Sequence, residues 1–284
     1  MLSIRLIIDC RCLAFDMRIH IVHRSVYRYE PPATGVIQVL RLTPRNYEGQ
    51  YVVHWRIDVS ADTKLAAHED AFGNITHTFS ADGPFAELAF EVDGEVETQN
   101  TNGVVRGTVE RFGPSLFLRD TALTQSDPAI ESFAHEVAAA AGGDVLTRLH
   151  GLLDRLHDEM DHEDENAPGA ANAAEAFARK VGPSRDVSHI FIAAAHTLGI
   201  PARYVGGYYR GGDDSGAQSG SHAWVEAAVP GLGWVAFDPA NGFCPTESHV
   251  RIAVGLDSLG AAPVRGMRYG PGAETRAVAI KVGQ

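Results

Sequence analysis

Ser221-His222-Ala223-Trp224-Val225-Glu226, and, after the turn Pro230-Gly231-Leu232, Gly233-Trp234-Val235-Ala236-Phe237-Asp238, form the stretch from which the fold can be read. Odd positions Ala223, Val225, Ala227, Val235 and Phe237 are apolar, so one face of this hairpin should bury against a core. The even face carries His222, Trp224, Trp234 and Asp238. His222 and Asp238 are equidistant from Pro230, so a turn centred there sets them opposite or within one residue of opposite. Directly opposed residues have Cβ atoms about 4.5–5.5 Å apart, close enough for an imidazole N–H to meet a carboxylate. That pair is the oriented-base half of a nucleophilic triad, with a purely structural hydrogen bond as the plainer alternative. Trp224 and Trp234 read either as core residues or as walls of a substrate-binding groove.

The segment before the hairpin offers a third group. From Ser184 to Leu198, Val187, Ile190, Phe191, Ala194 and Leu198 share one helical face, and Gly199 marks the end. Ser184 opens this helix, where backbone N–H groups and the dipole favour a developing negative charge. Pro183 biases Gly182 toward an extended conformation and sharpens the start. Serine is also a preferred helix cap, so a structural role stands beside a nucleophilic one. His189 lies about 140° round the helix from Ser184 and is expected to pack rather than join the triad.

Working outward, Met17 to about Arg119 alternates with period two, as in Tyr51, Val53, Trp55, Ile57 and Val59, with turn clusters between the runs. That pattern predicts an antiparallel sandwich. Near Ser126 the period changes: Asp127-Pro128 caps an alanine-rich helix ending at Gly142-Gly143, and a second helix from Asp144 puts Leu149, Leu152, Leu156 and Met160 on one stripe. The acidic run Asp158 to Glu165 reads as a solvated helix end and loop, and Arg210 to Gly220 as a mobile loop. The predicted organisation is a leader over 1–16, disordered or preceding a later start; a β-sandwich module over 17–122; and an α+β domain over 123–284.

The 284 residues carry 24 basic and 36 acidic side chains, a net charge of −12 that disfavours nucleic acid and anionic membrane surfaces as partners. Arg5, Asp9 and Arg11 interrupt the apolar leader, which predicts a cytoplasmic protein. Cys10, Cys12 and Cys244 make no disulfide framework, and the 13 histidines show no His-Glu-x-x-His spacing, so neither a metal nor another cofactor is expected.

The chain resembles the bacterial transglutaminase-like proteins, whose core is related to that of papain. The resemblance rests on Gly182-Pro183-Ser184-Arg185-Asp186-Val187-Ser188-His189, Gly199-Ile200-Pro201-Ala202-Arg203-Tyr204-Val205-Gly206-Gly207-Tyr208, and His222-Ala223-Trp224-Val225-Glu226. It continues through Gly233 to Asn241 and His249 to Gly255. Leu40-Arg41-Leu42-Thr43-Pro44 and Asp70-Ala71-Phe72-Gly73-Asn74 look like the family's N-terminal β module. The resemblance implies a papain-like α+β domain in which His222 is the general base and Asp238 orients it. Ser184 stands where the family has its cysteine. It also implies a peptide or protein substrate, attacked at an amide with water or an amine as acceptor. Three readings are open: an enzyme using Ser184, a catalytically silent relative that keeps the groove to bind a peptide or protein, and an adaptor acting through its β module.

Overall fold

The computed structural model describes residues 16–165, 167–211 and 219–283. The leader with Cys10 and Cys12, and the centre of the Arg210 to Gly220 loop, lie outside the described residues. In chain order the elements are β1 (Met17–Thr43), β2 (Gln50–Val59), β3 (Ala66–Glu69), β4 (Ile75–Thr98), β5 (Val104–Val105), a 3₁₀ turn (Pro114–Leu118), α1 (Pro128–Ala141) and α2 (Val145–Glu159). They continue with β6 (Asp161–His162), α3 (Ala173–Arg179), β7 (Val181–Gly182), α4 (Ser184–Thr197), β8 (Ala202–Arg210) and β9 (Ser219–Val229). The last four are β10 (Gly233–Phe237), β11 (His249–Gly255), β12 (Val264–Tyr269) and β13 (Ala273–Gly283).

The architecture is α+β. Its first sheet is built on the long antiparallel pair β1 and β4, whose register shifts between Arg28 and Gly35. Phe79 and Phe90, both on β4, have ring centroids 5.9 Å apart. A straight strand would hold residues eleven apart roughly 36 Å from one another. The strand therefore doubles back, and Tyr27, Leu40, Phe79, Leu88 and Phe90 close a core between the two halves. The sandwich character arises from one sheet bent over itself.

The second sheet has the order β11-β8-β9-β10-β5. Its hairpin β9–β10 buries Ala223, Val225, Ala227, Val235 and Phe237 against the α-helices, as the alternation predicts. Asp127 accepts the Ile130 N–H at the start of α1, and Asp144 accepts the Thr147 N–H at the start of α2. α3 was not foreseen; Asn172 caps it and Lys180 ends it in the left-handed region.

The boundary expected at residues 122 and 123 does not separate the sheets. Met267 and its neighbours on β12 pair with β1, as does β13 along His20 to Glu30, so the end of the chain completes the first sheet. β5, from the N-terminal side of that boundary, pairs with β10 in the second. The sheets also share polar clamps. Gln50 accepts the Arg251 N–H and donates to its carbonyl, and Asn74 does the same with Val254. Ile19, Ile21 and Val96 enter the core that holds α4. Backbone edges and shared apolar surface thus lock the two units together, and period-two patterning cannot show which sheet a strand will join.

Candidate active site

α4 packs on β9, and this contact brings the three expected residues into one neighbourhood. The β9–β10 register pairs Phe237 with Val225, which places Asp238 opposite Trp224, two residues from His222. The shift comes from a turn centred on Gly231 rather than Pro230; Gly231 and Gly233 both adopt positive φ there. Even so, His222 Nε2 donates to Asp238 Oδ2 at 2.7 Å, because the chain leaves β10 at Phe237 and Asp238 turns toward the imidazole.

Asp238 is fully buried and more heavily partnered than a triad requires. Its Oδ2 also accepts from His249 Nε2 at 3.0 Å and from Asn241 Nδ2 at 2.7 Å. The Thr246 N–H donates to His249 Nδ1, which fixes the His249 proton on Nε2. Burial opposes ionisation of Asp238, but the His222 charge and the bonds from His222 and His249 outweigh it and hold the carboxyl well below its usual range. For His249 burial dominates and lowers the pKa. His222, Asp238 and His249 offer ligand atoms within 4.8 Å of one another, a grouping that motif spacing missed because its members lie on β9, after β10 and on β11. Both Nε2 positions are occupied by protons given to Asp238, so hydrogen bonds already satisfy the cluster.

Ser184 is fully buried and is the first helical residue, with Pro183 as the cap. The capping role expected of serine falls instead to Glu165, whose Oε1 accepts the Ser184 N–H at 2.9 Å. Ser184 Oγ donates to Glu165 Oε2 at 2.7 Å and accepts the Ala223 N–H at 3.0 Å. The single hydroxyl proton is thereby committed to Glu165. His222 Nδ1 lies 3.8 Å from Glu165 Oε1, an ion-pair rather than a hydrogen-bond distance. Burial disfavours the charged imidazole, yet Asp238 and Glu165 together push its pKa up to about 10. The acidic run therefore ends in a side chain drawn over the helix N-terminus, not in a solvated loop. Both the helix dipole and the imidazolium attract a carboxylate there.

The tryptophans do not form groove walls. Trp224 and Trp234 are 2% and 7% exposed and pack with Val105, Phe117, Val205 and Val254 in a second core beneath the even face. Gly207 makes this possible, since a Cβ there would overlap the Trp224 ring and the Val250 carbonyl. Arg203 lies 4.0 Å over the Trp234 ring and, with Arg251, holds the buried Glu226. Burial raises the Glu226 pKa, but the two guanidinium groups pull it down to about 2. His189 is buried as expected and accepts the Ser258 N–H. Cys244 lines a different cavity, and burial with the Asp154 charge pushes its thiol up to about 11. The cleft that reaches Glu165 and His222 has a volume of about 340 Å³ and runs between the first sheet and the second.

Residues 19–97 match the bacterial transglutaminase-like N-terminal region, and residues 131–239 match the transglutaminase-like superfamily. The chain belongs to the bacterial transglutaminase-like proteins. This transglutaminase-like chain is 27% identical over 288 residues to the uncharacterized protein ML0607 of Mycobacterium leprae, covering 93% of this chain and 98% of that one. A shorter match, 36% identical over 77 residues, joins 24% of this chain to 10% of the uncharacterized protein YebA of Bacillus subtilis. Among solved structures, a proposed cysteine protease from Cytophaga hutchinsonii superposes with a TM-score of 0.73 over 94% of this chain and 90% of that one. At 18% identity that likeness speaks for the transglutaminase-like fold alone. Among the described residues no helix is long and apolar enough to cross a membrane.

Proposed function

We propose that this transglutaminase-like chain is a peptide-binding relative in which acyl transfer has been silenced at Ser184. The observation that carries the reading is the position of Glu165, which takes the Ser184 hydroxyl proton and faces the charged His222. A papain-type site works from a thiolate beside an imidazolium. A serine hydroxyl is far too weak an acid to be that anion, and here a carboxylate is the counter-ion instead. His222 already holds its proton at neutral pH, so it is not poised as a base. What remains is an open cleft over a polar cradle, an arrangement suited to holding a peptide.

The second reading is an amidase or acyltransferase in which Ser184 attacks, His222 takes its proton and Asp238 orients the imidazole. The preserved 2.7 Å bond between His222 and Asp238 favours it, and Glu165 would have to withdraw first. Ammonia release from a glutamine dipeptide, with and without an added amine, separates the two. We expect the parent protein to match its Ser184→Ala variant. Parental turnover that Ser184→Ala abolishes would overturn silencing.

A further inference from the structure

The chain is strongly acidic, yet Arg41 from β1, Arg185 from α4 and Arg276 from β13 all line the same cleft. They come from three elements and both sides of the cleft, so they are not one solvated run of charge. We infer that the cleft binds an acidic peptide, its side-chain carboxylates received by Arg41, Arg185 and Arg276. This deepens the peptide-binding reading above and rests on it.

The partners of these arginines leave capacity for a ligand. Arg41 Nε donates to Asp70 at 3.0 Å, and its Nη1 is enclosed with no hydrogen-bond partner among the described residues, so this guanidinium is only partly satisfied by the fold. Arg185 Nε meets Asp186 Oδ1 at 3.1 Å, and that carboxylate also accepts the Ala170 N–H through its other oxygen. Arg276 is exposed and pairs with no carboxylate among the described residues; it faces Tyr27 and His23. Burial, aided by the Arg276 charge, lowers the His23 pKa to about 4, so at neutral pH that imidazole is uncharged and the positive charge on this side of the cleft is that of the arginines.

The inner end of the cleft already shows a preference for this chemistry. Glu165 lies there as a carboxylate of the chain itself, held by the N–H and O–H of Ser184 beside His222. Guanidinium groups match a carboxylate with paired N–H donors. The volume of about 340 Å³ falls at the lower end of small-ligand sites and suits a short stretch of peptide rather than a folded partner. Tyr204 and Leu259 supply apolar surface for the stems of acidic side chains.

Fluorescence anisotropy on the full chain tests the inference with fluorescein-labelled pentapeptides of three central residues flanked by glycine: glutamates, glutamines or phosphoserines. The glutamate probe should bind at least about tenfold more tightly than the glutamine probe, and its advantage should shrink as salt is raised. Arg276→Gln and Arg185→Gln, each checked for an unchanged thermal melt, should remove most of that advantage, whereas Glu165→Gln should tighten glutamate binding. Equal affinity for the glutamate and glutamine probes would overturn the acidic preference and leave peptide binding standing. A phosphoserine probe preferred by about tenfold over glutamate would replace carboxylate with phosphate as the recognised group. Binding of none of the probes would overturn the acidic-peptide inference together with the peptide-binding reading beneath it.

Discussion

Ser184, Glu165 and His222 show how one atom changes what a site can do. Sulfur in place of the Ser184 oxygen would supply a group whose ordinary pKa is about 8.5. The helix N-terminus and His222 would lower that value, while Glu165 would raise it by like-charge repulsion. We therefore expect Ser184→Cys, in a background with Cys10 and Cys12 changed to serine, to alkylate slowly with iodoacetamide at neutral pH. Adding Glu165→Gln should speed the reaction about tenfold, one unit of pKa. Both variants should outpace Cys244, whose thiol pKa is about 11. Equal rates with and without Glu165→Gln would show that the carboxylate does not control the position. Glu226 makes a second residue-scale case. Glu226→Ala would leave the buried guanidinium groups of Arg203 and Arg251 without their shared partner, costing about 3 kcal/mol or more in a urea titration.

At the scale of elements, the β9–β10 hairpin shows what alternation conveys. Its odd face was legible because burial against helices demands period two, and the same five residues line that core. Its even face left Trp224 and Trp234 open between core and groove wall, because alternation marks a second face without saying whether solvent or another core covers it. The N-terminal half covers it here with Tyr47, Phe72 and Phe117. Gly207→Ala should force Trp224 out of that core and destabilise by roughly 1–3 kcal/mol, read as a lower denaturation midpoint. A midpoint unchanged from the parent would mean that β8 and β11 can separate without loss. β13 pairs with β1 over His20 to Glu30, so deleting Val264–Gln284 should expose that edge and the core beside Ile280. The truncated chain should aggregate or lose its cooperative melt; a soluble product with an unchanged melt would refute this role for β12 and β13.

Across the whole molecule, pH should act through histidines with opposite signs. His222, at about 10, lies above the roughly 6.5 of an unfolded histidine, so its stabilisation is complete below pH about 6.5 and is lost as pH rises toward 10. His23 and His189 have pKa values lowered to about 4, chiefly by burial. Unfolded histidines bind protons first as pH falls below about 6.5, so these two reduce stability between there and about 4. Melting temperature should therefore decline on both sides of near-neutral pH, and His222→Gln should flatten only the alkaline limb. An alkaline limb as steep in the variant as in the parent would assign that decline to other groups. The chain's two halves should also melt together, since Gln50, Asn74 and the core around Ile19 bind them. Two well-separated calorimetric transitions would contradict that coupling.

The sequence by itself determined the α+β class, the helix starts at Asp127 and Asp144, the apolar face of the hairpin and the meeting of His222 with Asp238. Each depends on short-range periodicity, capping or a turn, and such signals are written within a few neighbouring residues. Only the tertiary structure decided that β12 and β13 return to β1, that Trp224 and Trp234 are core, and that His249 and Asn241 join Asp238. It also decided that Glu165 stands between Ser184 and His222. A carboxylate in an acidic loop looks solvated until the fold sets a helix N-terminus and a buried imidazolium beside it, and their combined attraction then outweighs the loss of water.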